Sequence, residues 1–167
     1  MDRDEVERIY MTYFDTVYRI CFLYMKNETD AGDMVQETFL RLIRSGPEFE
    51  TEQKVKAWLI VTASNCCKTQ LTRWWRTKRV EYNEEQIKTI ADRQDRELLE
   101  SVLGLDKKYS VPMYLYYFEG YKTGEIARML NINSSTIQTR LAKAREILKL
   151  EIEKDFDGKK GGRGYEC

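Results

Sequence analysis

The chain has no histidine, only two prolines in 167 residues, and four cysteines that never form a C-x-x-C pair. The missing histidine removes the side chain most used for general acid–base catalysis near neutral pH and the commonest metal ligand. Cysteines at positions 21, 66, 67 and 167 do not have the spacing of a zinc site. No Gly-rich phosphate loop and no G-x-S-x-G elbow occurs, and the carboxylates can be assigned to solvated helix faces, so a catalytic function is not expected. No cofactor, metal or small-molecule substrate is expected either. No apolar run approaches the roughly 20 residues of a membrane span. Met1-Asp2-Arg3-Asp4-Glu5 is charged and leads into no signal-type stretch, so the expected location is cytoplasmic, with reduced, mostly buried thiols. Cys167 lies at the wrong place for a prenylation signal. Hairpin dipeptides such as Asn-Gly are also missing, and β-branched residues are scattered, which leaves no convincing strand.

Net charge is zero, from 28 basic and 28 acidic residues, but the charges are segregated. Residues 68 to 80 carry Lys68, Arg73, Arg76, Lys78 and Arg79 and no acid, whereas 81 to 97 bring Glu81, Glu84, Glu85, Asp92, Asp95 and Glu97. Screening erases distant charges beyond about 8 Å at physiological salt, so the local block sets the field a partner meets. A basic stripe on a neutral protein is still a phosphate-binding candidate.

Helical periodicity runs through nearly the whole chain. Ile9, Tyr13, Phe14, Val17, Ile20, Cys21 and Tyr24 recur three or four apart. After a break at 27 to 30, with Thr29 or Asp30 as a cap, Met34, Val35, Phe39, Leu42 and Ile43 define a second helix that stops at Ser45-Gly46-Pro47. A third is expected from about Val55 to Arg76, with Trp58, Leu59, Val61, Thr62, Cys66 and Leu71 inward. Residues 81 to 95 read as a linker. A second helical unit starts near Arg96; Gly104 ends its first helix, Asp106 caps the next, and Pro112 should bend that one. The expected fold class is all-α: a helical domain over 1–80, a linker over 81–95, a second domain over 96–155, and a Gly/Lys/Arg tail over 156–167.

Near the C-terminus, Thr123 can cap a short helix burying Ile126, Ala127 and Leu130. The turn Asn131-Ile132-Asn133 follows, and a second helix buries Ile137, Leu141, Ala144 and Leu148. This is the pattern of a helix-turn-helix, with Ala127 small enough for a close crossing and Ile132 plugging the angle. Ser134, Ser135, Thr136, Gln138, Thr139, Arg140 and Lys143 occupy the outward face, where such a motif meets the major groove. Gln pairs with adenine, Arg or Lys with guanine, and hydroxyls with phosphates. An ordinary helical hairpin with a solvated face is the alternative, although small residues at 134 to 136 are less usual there than Glu and Lys.

Two further segments carry chemistry. Asn65 to Arg79 mixes cations with Trp74 and Trp75, a combination suited to unpaired bases, since aromatic faces stack on them while cations hold phosphates. Closing the core is the alternative role for one of the tryptophans. Asp33, Gln36, Glu37 and Arg41 form a polar stripe beside Val35, Phe39 and Leu40. A solvated face explains the charges, whereas exposure of Phe39 or Leu40 would indicate protein docking.

On these residues the chain resembles a family. Asp30 to Leu42 (DAGDMVQETFLRL) closely resembles region 2 of the sigma-70 family of RNA polymerase sigma factors, extracytoplasmic-function group. Lys56-Ala57-Trp58-Leu59, with Asn65 and the basic end, resembles the −10 reading segment of that region. Tyr121 to Ile147, with Glu125-Ile126-Ala127, Thr136-Ile137, Arg140-Leu141 and Ala144-Arg145, is similar to region 4. The resemblance implies that Asp33, Gln36, Glu37, Phe39 and Leu40 dock on the clamp of the polymerase largest subunit, with the flap of the core as a further contact. It implies that Lys54, Lys56, Asn65, Lys68, Arg73, Trp75 and Arg76 serve the melted −10 strand, one base of which is flipped into a small pocket. Ser134, Ser135, Thr136, Gln138, Thr139, Arg140, Lys143 and Arg145 would serve the −35 duplex. Promoter DNA, polymerase core and an anti-sigma factor are the implied partners. Thr69, Asp106 and Ala142 depart from the family's usual residues, and Glu48, Glu50 and Glu52 make the loop over 45–53 acidic, so the promoter sequences do not carry over. A helix-turn-helix regulator acting without polymerase core is the competing reading; the segment from 30 to 44 discriminates against it.

Overall fold

The computed structural model describes residues 1–77 and 93–156, with side chains over 1–75 and 98–149. Among the described residues every regular element is an α-helix. The chain divides into two compact units, 1–90 and 91–167. Most of the expected linker, Lys78, Arg79 and nearly all of the expected tail fall outside the described residues.

The first unit contains α1 (Arg3–Met25), α2 (Glu28–Ser45) and α3 (Glu52–Thr77), each packed on the other two. Asp2 starts α1 by accepting the Glu5 N–H at 2.8 Å, which satisfies one of the free donors of the first turn. Lys26, at φ 62°, ends it. Asn27 then caps α2 by accepting the Asp30 N–H at 2.9 Å, so neither Thr29 nor Asp30 is the cap. The sharp stop at Lys26 starts the helix earlier than the apolar pattern suggests. Gly46 closes α2 at φ 50°, in the left-handed region glycine tolerates without strain, and its N–H returns to the Leu42 carbonyl at 3.0 Å.

The core of this unit comprises Ile9, Val17 and all of Ile20 to Met25 from α1, Ala31, Val35, Thr38, Phe39 and Leu42 from α2, and Val55, Leu59, Ile60, Ala63, Ser64, Cys66 and Cys67 from α3. Each large aliphatic side chain buried here contributes about 1.5–3 kcal/mol. Two expectations change. Ile43 is 55% exposed. On α3 the buried face is centred on Ile60, Ala63 and Cys67, while Trp58, Val61 and Thr62 lie half-buried at its margin. Thr38, fully buried, donates to the Met34 carbonyl at 2.7 Å, so its hydroxyl is satisfied within its own helix.

The second unit contains α4 (Arg93–Leu103), α5 (Lys107–Tyr117), α6 (Thr123–Leu130) and α7 (Ser134–Phe156). Helix α7 is the hub, packing on each of the other three. Asp106 caps α5 through the Lys108 N–H at 3.0 Å, and α5 runs as one helix with Pro112 buried inside it. Tyr114, fully buried, donates to Glu119 at 2.6 Å and so holds the turn that follows α5. Gly120 takes φ 74° in that turn.

Candidate DNA-reading and partner-docking sites

The last two helices of the second unit have helix-turn-helix geometry. Lys122, rather than Thr123, stands at the start of α6, and its N–H is taken by the Glu125 carboxylate at 3.0 Å. Asn131 ends α6 at φ 54°, and the Ile132 N–H reaches back to the Ala127 carbonyl at 2.9 Å. Asn133 immediately precedes α7, its carbonyl accepting the Ile137 N–H at 3.1 Å. Ile126, Ala127 and Leu130 are buried, as are Ile137, Leu141, Ala144 and Leu148. That burial fixes the rotation of α7 about its axis. Ser134, Ser135, Gln138, Thr139 and Lys143 are consequently exposed, with Thr136 and Arg140 half-buried at the edge of the same face. Thr139 donates to the Ser135 carbonyl at 2.9 Å, and Lys143 lies 3.7 Å from Glu146. Arg145 differs from the others: it is half-buried, and its Nη1 donates to the Tyr117 hydroxyl of α5 at 3.4 Å.

In the first unit one face of α3 meets the end of α2. Trp58, Thr62 and Asn65 recur four and three apart and face Arg41, Arg44 and Ser45 across a cavity of about 430 Å³. Asn65 is exposed, while Trp58 is half-buried and touches Phe49 edge-on at 6.0 Å. Arg41 donates to Glu37 at 3.0 Å, and that bond raises its already high pKa, so the guanidinium is a permanent cation at the rim. Two guanidinium groups, an indole and an amide around one concavity can hold a planar base beside an anionic phosphate. Of these six residues the sequence named only Asn65 as a DNA contact; Trp58 fell within the segment resembling the −10 reading segment but, like Thr62, was expected to face inward. Trp58 and Thr62 were legible as its neighbours on one helical face; Arg41 and Arg44 join only through the crossing of α2 and α3.

The other residues of this group are dispersed. Lys54 is exposed and paired with Glu50; Lys56 and Lys68 are half-buried; Arg73 is exposed. Trp75 is 85% exposed whereas Trp74 is half-buried, so only one of the pair packs. The side chain of Arg76 lies outside the described residues.

On another side of the unit, α1 and α2 border an apolar groove of about 650 Å³. Met1, Val6 and Tyr10 line it from the N-terminal side, and Gln36, Phe39, Leu40 and Ile43 from α2. Phe39 is only 5% exposed and forms the floor, whereas Leu40 at 42% and Ile43 at 55% form the wall. Asp33 is exposed on α2 and Glu37 is half-buried; neither lines the groove. The α1 half escaped the sequence reading, although Val6 and Tyr10, one turn apart, carried the signal.

Three thiols sit in the core of this unit. Cys21, Cys66 and Cys67 are free and buried. A hydrogen bond with Cys21, followed by burial, pushes the Cys67 thiol far up; burial chiefly raises Cys66. Among the described residues, no group of three His, Cys, Asp or Glu side chains is placed to hold a metal ion. No described helix is long and apolar enough to cross a membrane.

A helix-turn-helix unit following a three-helix unit with a cationic, aromatic face points to the class of helical DNA-binding proteins. Comparison with known proteins makes the class specific. Residues 9–77 match the family model for Sigma-70 region 2, and residues 95–148 match that for Sigma-70, region 4. The chain belongs to the sigma-70 family, in its extracytoplasmic-function group. It is 26% identical over 148 residues to the RNA polymerase sigma factor SigV of Bacillus subtilis, covering 83% of this chain and 85% of that one. It is 25% identical over 173 residues to the ECF RNA polymerase sigma factor SigW of the same organism, covering 90% of each. Among solved structures it resembles the sigma factor RpoE of Bartonella quintana, crystallised with the anti-sigma factor NepR. That match has a TM-score of 0.66 and 17% identity, covering 90% of this chain and 98% of that one.

Proposed function

We propose that this chain directs promoter-specific initiation by RNA polymerase core, reading the −35 element as duplex and the −10 element as melted strand, without a catalytic group of its own. The observation that carries this reading is the pairing of two different surfaces on one chain. One is the exposed, small and polar N-terminal face of α7, the second helix of the helix-turn-helix. The other is a cationic, tryptophan-edged pocket between α2 and α3. The first suits the major groove of intact DNA, where Gln138, Arg140 and Lys143 would contact base edges and the serines and threonines phosphates. The second suits a flipped base, with Arg73 and Trp75 continuing the path of the strand along α3. Melting then follows from capture of the open strand rather than from any chemical step.

Core polymerase would dock on the groove between α1 and α2, whose apolar floor and exposed Leu40 and Ile43 fit an apolar helical stripe. Asp33 and Glu37 would flank that contact. Residues beyond the groove, in the second unit, would meet the flap. An inhibitor of the anti-sigma kind would cover these same faces, and the chain would act in the cytoplasm.

Run-off transcription with purified core on a promoter library tests the reading. Promoter-selective transcripts that require both the chain and core are expected. Tight, specific duplex binding by the chain alone, with no transcripts on adding core, would replace it with that of a regulator acting independently of polymerase.

A further inference from the structure

The loop over 46–51 enters from α2 at Gly46 and leaves into α3 beside the pocket formed by Arg44, Trp58 and Asn65. Its entry is held locally by the left-handed Gly46. Its exit is held from a distance. The Tyr13 hydroxyl of α1 donates to the Glu52 carboxylate at 2.7 Å and lies 3.3 Å from the Glu52 carbonyl oxygen, 39 residues away in sequence. Arg8, five residues earlier on α1, adds an ion pair to the same carboxylate at 2.9 Å. At about half exposure on both sides, such a pair contributes little to global stability. What it does is fix the backbone and side chain of one residue, the first of α3 and the point at which the loop ends.

We infer that Tyr13 and Arg8 are positioning residues for strand reading: by gripping Glu52 they set the loop over 46–51 against the α2–α3 pocket before DNA arrives. The inference rests on the proposed −10 reading and names a part of the chain, α1, that this reading does not use for DNA. Phe49 within the loop lies edge-on to Trp58, so a shift of the loop at its exit is transmitted to the pocket wall. Glu50 pairs with Lys54 in the first turn of α3, and Lys54 also donates its N–H to Thr51 Oγ1 at 3.3 Å. The loop end is therefore tied both to α3 and to α1. A loop held in its binding geometry spares the complex the cost of ordering it, so the effect belongs to strand capture and not to core association. Burial, and then the hydrogen bond to Glu52, push the Tyr13 hydroxyl up to about 12, so it remains a donor across the physiological range. The Tyr13 bond in turn holds Glu52 below the usual carboxylate range, so the acceptor remains ionised.

The test uses holoenzyme reconstituted from core and the full chain, with a non-template −10 oligonucleotide of the sequence selected by run-off transcription. Tyr13→Phe keeps the ring and removes only the donor. It should weaken strand capture about fivefold, the worth of roughly one hydrogen bond, with core affinity and melting temperature unchanged. Glu52→Ala, which also releases Arg8, should weaken it at least as much, Glu52→Gln, which keeps an acceptor for Tyr13, should restore part of the affinity, and the double variant Tyr13→Phe with Glu52→Ala should be no worse than Glu52→Ala alone. Additive losses in the double variant, unchanged capture by Tyr13→Phe, or a parallel loss of core binding would overturn the inference. Failure of the wild-type holoenzyme to capture any strand would overturn the −10 reading itself, and the inference with it.

Discussion

Tyr10 of α1 and Phe39 of α2 pack ring against ring, with centroids 4.8 Å apart and planes tilted by 59°. The contact divides one helix face into two kinds of residue. Phe39 is bound inward by the ring above it, and its neighbour Leu40 and the next-turn Ile43 are left outside. The residues of α2 proposed for docking are thus separable from those that hold the unit together.

Phe39→Ala is expected to destabilise the chain by about 3–5 kcal/mol, as large buried aromatics do, and to lose core binding together with the fold, because it forms the floor of the groove. Leu40→Asp and Ile43→Asp should change stability by about 0.5 kcal/mol or less and yet weaken core association directly. Denaturant unfolding beside a core pull-down separates the two. Full core affinity in the Leu40 and Ile43 variants would move the docking face elsewhere.

Arg140→Ala combined with Lys143→Ala should abolish −35-dependent transcription while leaving core binding intact. If both contact DNA phosphates or bases, the salt dependence of −35 duplex binding should also flatten by about two units of slope. Arg145→Ala should behave differently, because its guanidinium is engaged with the Tyr117 hydroxyl at 3.4 Å. Its effect should appear in the stability of the second unit more than in promoter choice. A reporter with a substituted −35 element, read against thermal melting, distinguishes these outcomes.

Trp75→Ala should leave stability unchanged, since 85% of the residue is already in solvent. It should slow open-complex formation by the loss of a base-stacking contact worth about 1–3 kcal/mol. Permanganate footprinting of the melted region beside a closed-complex binding assay checks this. Equal losses in both would assign Trp75 to duplex contact.

The buried thiols predict a pH response. Cys66 and Cys67 have pKa values raised above that of a free thiol, for Cys66 chiefly through burial and for Cys67 chiefly through the hydrogen bond with Cys21. In the unfolded chain both ionise at an ordinary thiol pKa, so their contribution to stability is fully present below about pH 8.5 and falls as pH rises beyond it. Cys67→Ser or Cys67→Ala should therefore show a smaller loss of stability between neutral and alkaline pH than wild type. Thiol reagents should modify Cys21, Cys66 and Cys67 only after denaturation. Rapid labelling of the native core thiols would contradict their placement.

The sequence by itself determined the all-α class, the order of the helices and the family, because these rest on local information: three-to-four spacing, glycine and aspartate at helix ends, and short motifs. The register of the helix-turn-helix was also legible, since Ile137, Leu141, Ala144 and Leu148 are close enough in sequence to declare one face of α7. Helix caps were less so. Asn27 displaced Thr29 and Asp30 because a left-handed Lys26 stops α1, a conformation no residue type at that position announces. What only the tertiary structure decided is which residues from different helices share a surface. Arg41 and Arg44 joining Trp58 and Asn65, Met1 and Tyr10 joining Leu40, and Tyr13 reaching Glu52 all depend on how α1, α2 and α3 cross. Crossings are set by the packing of side-chain volumes in the core, a collective property that no helix carries in its own periodicity.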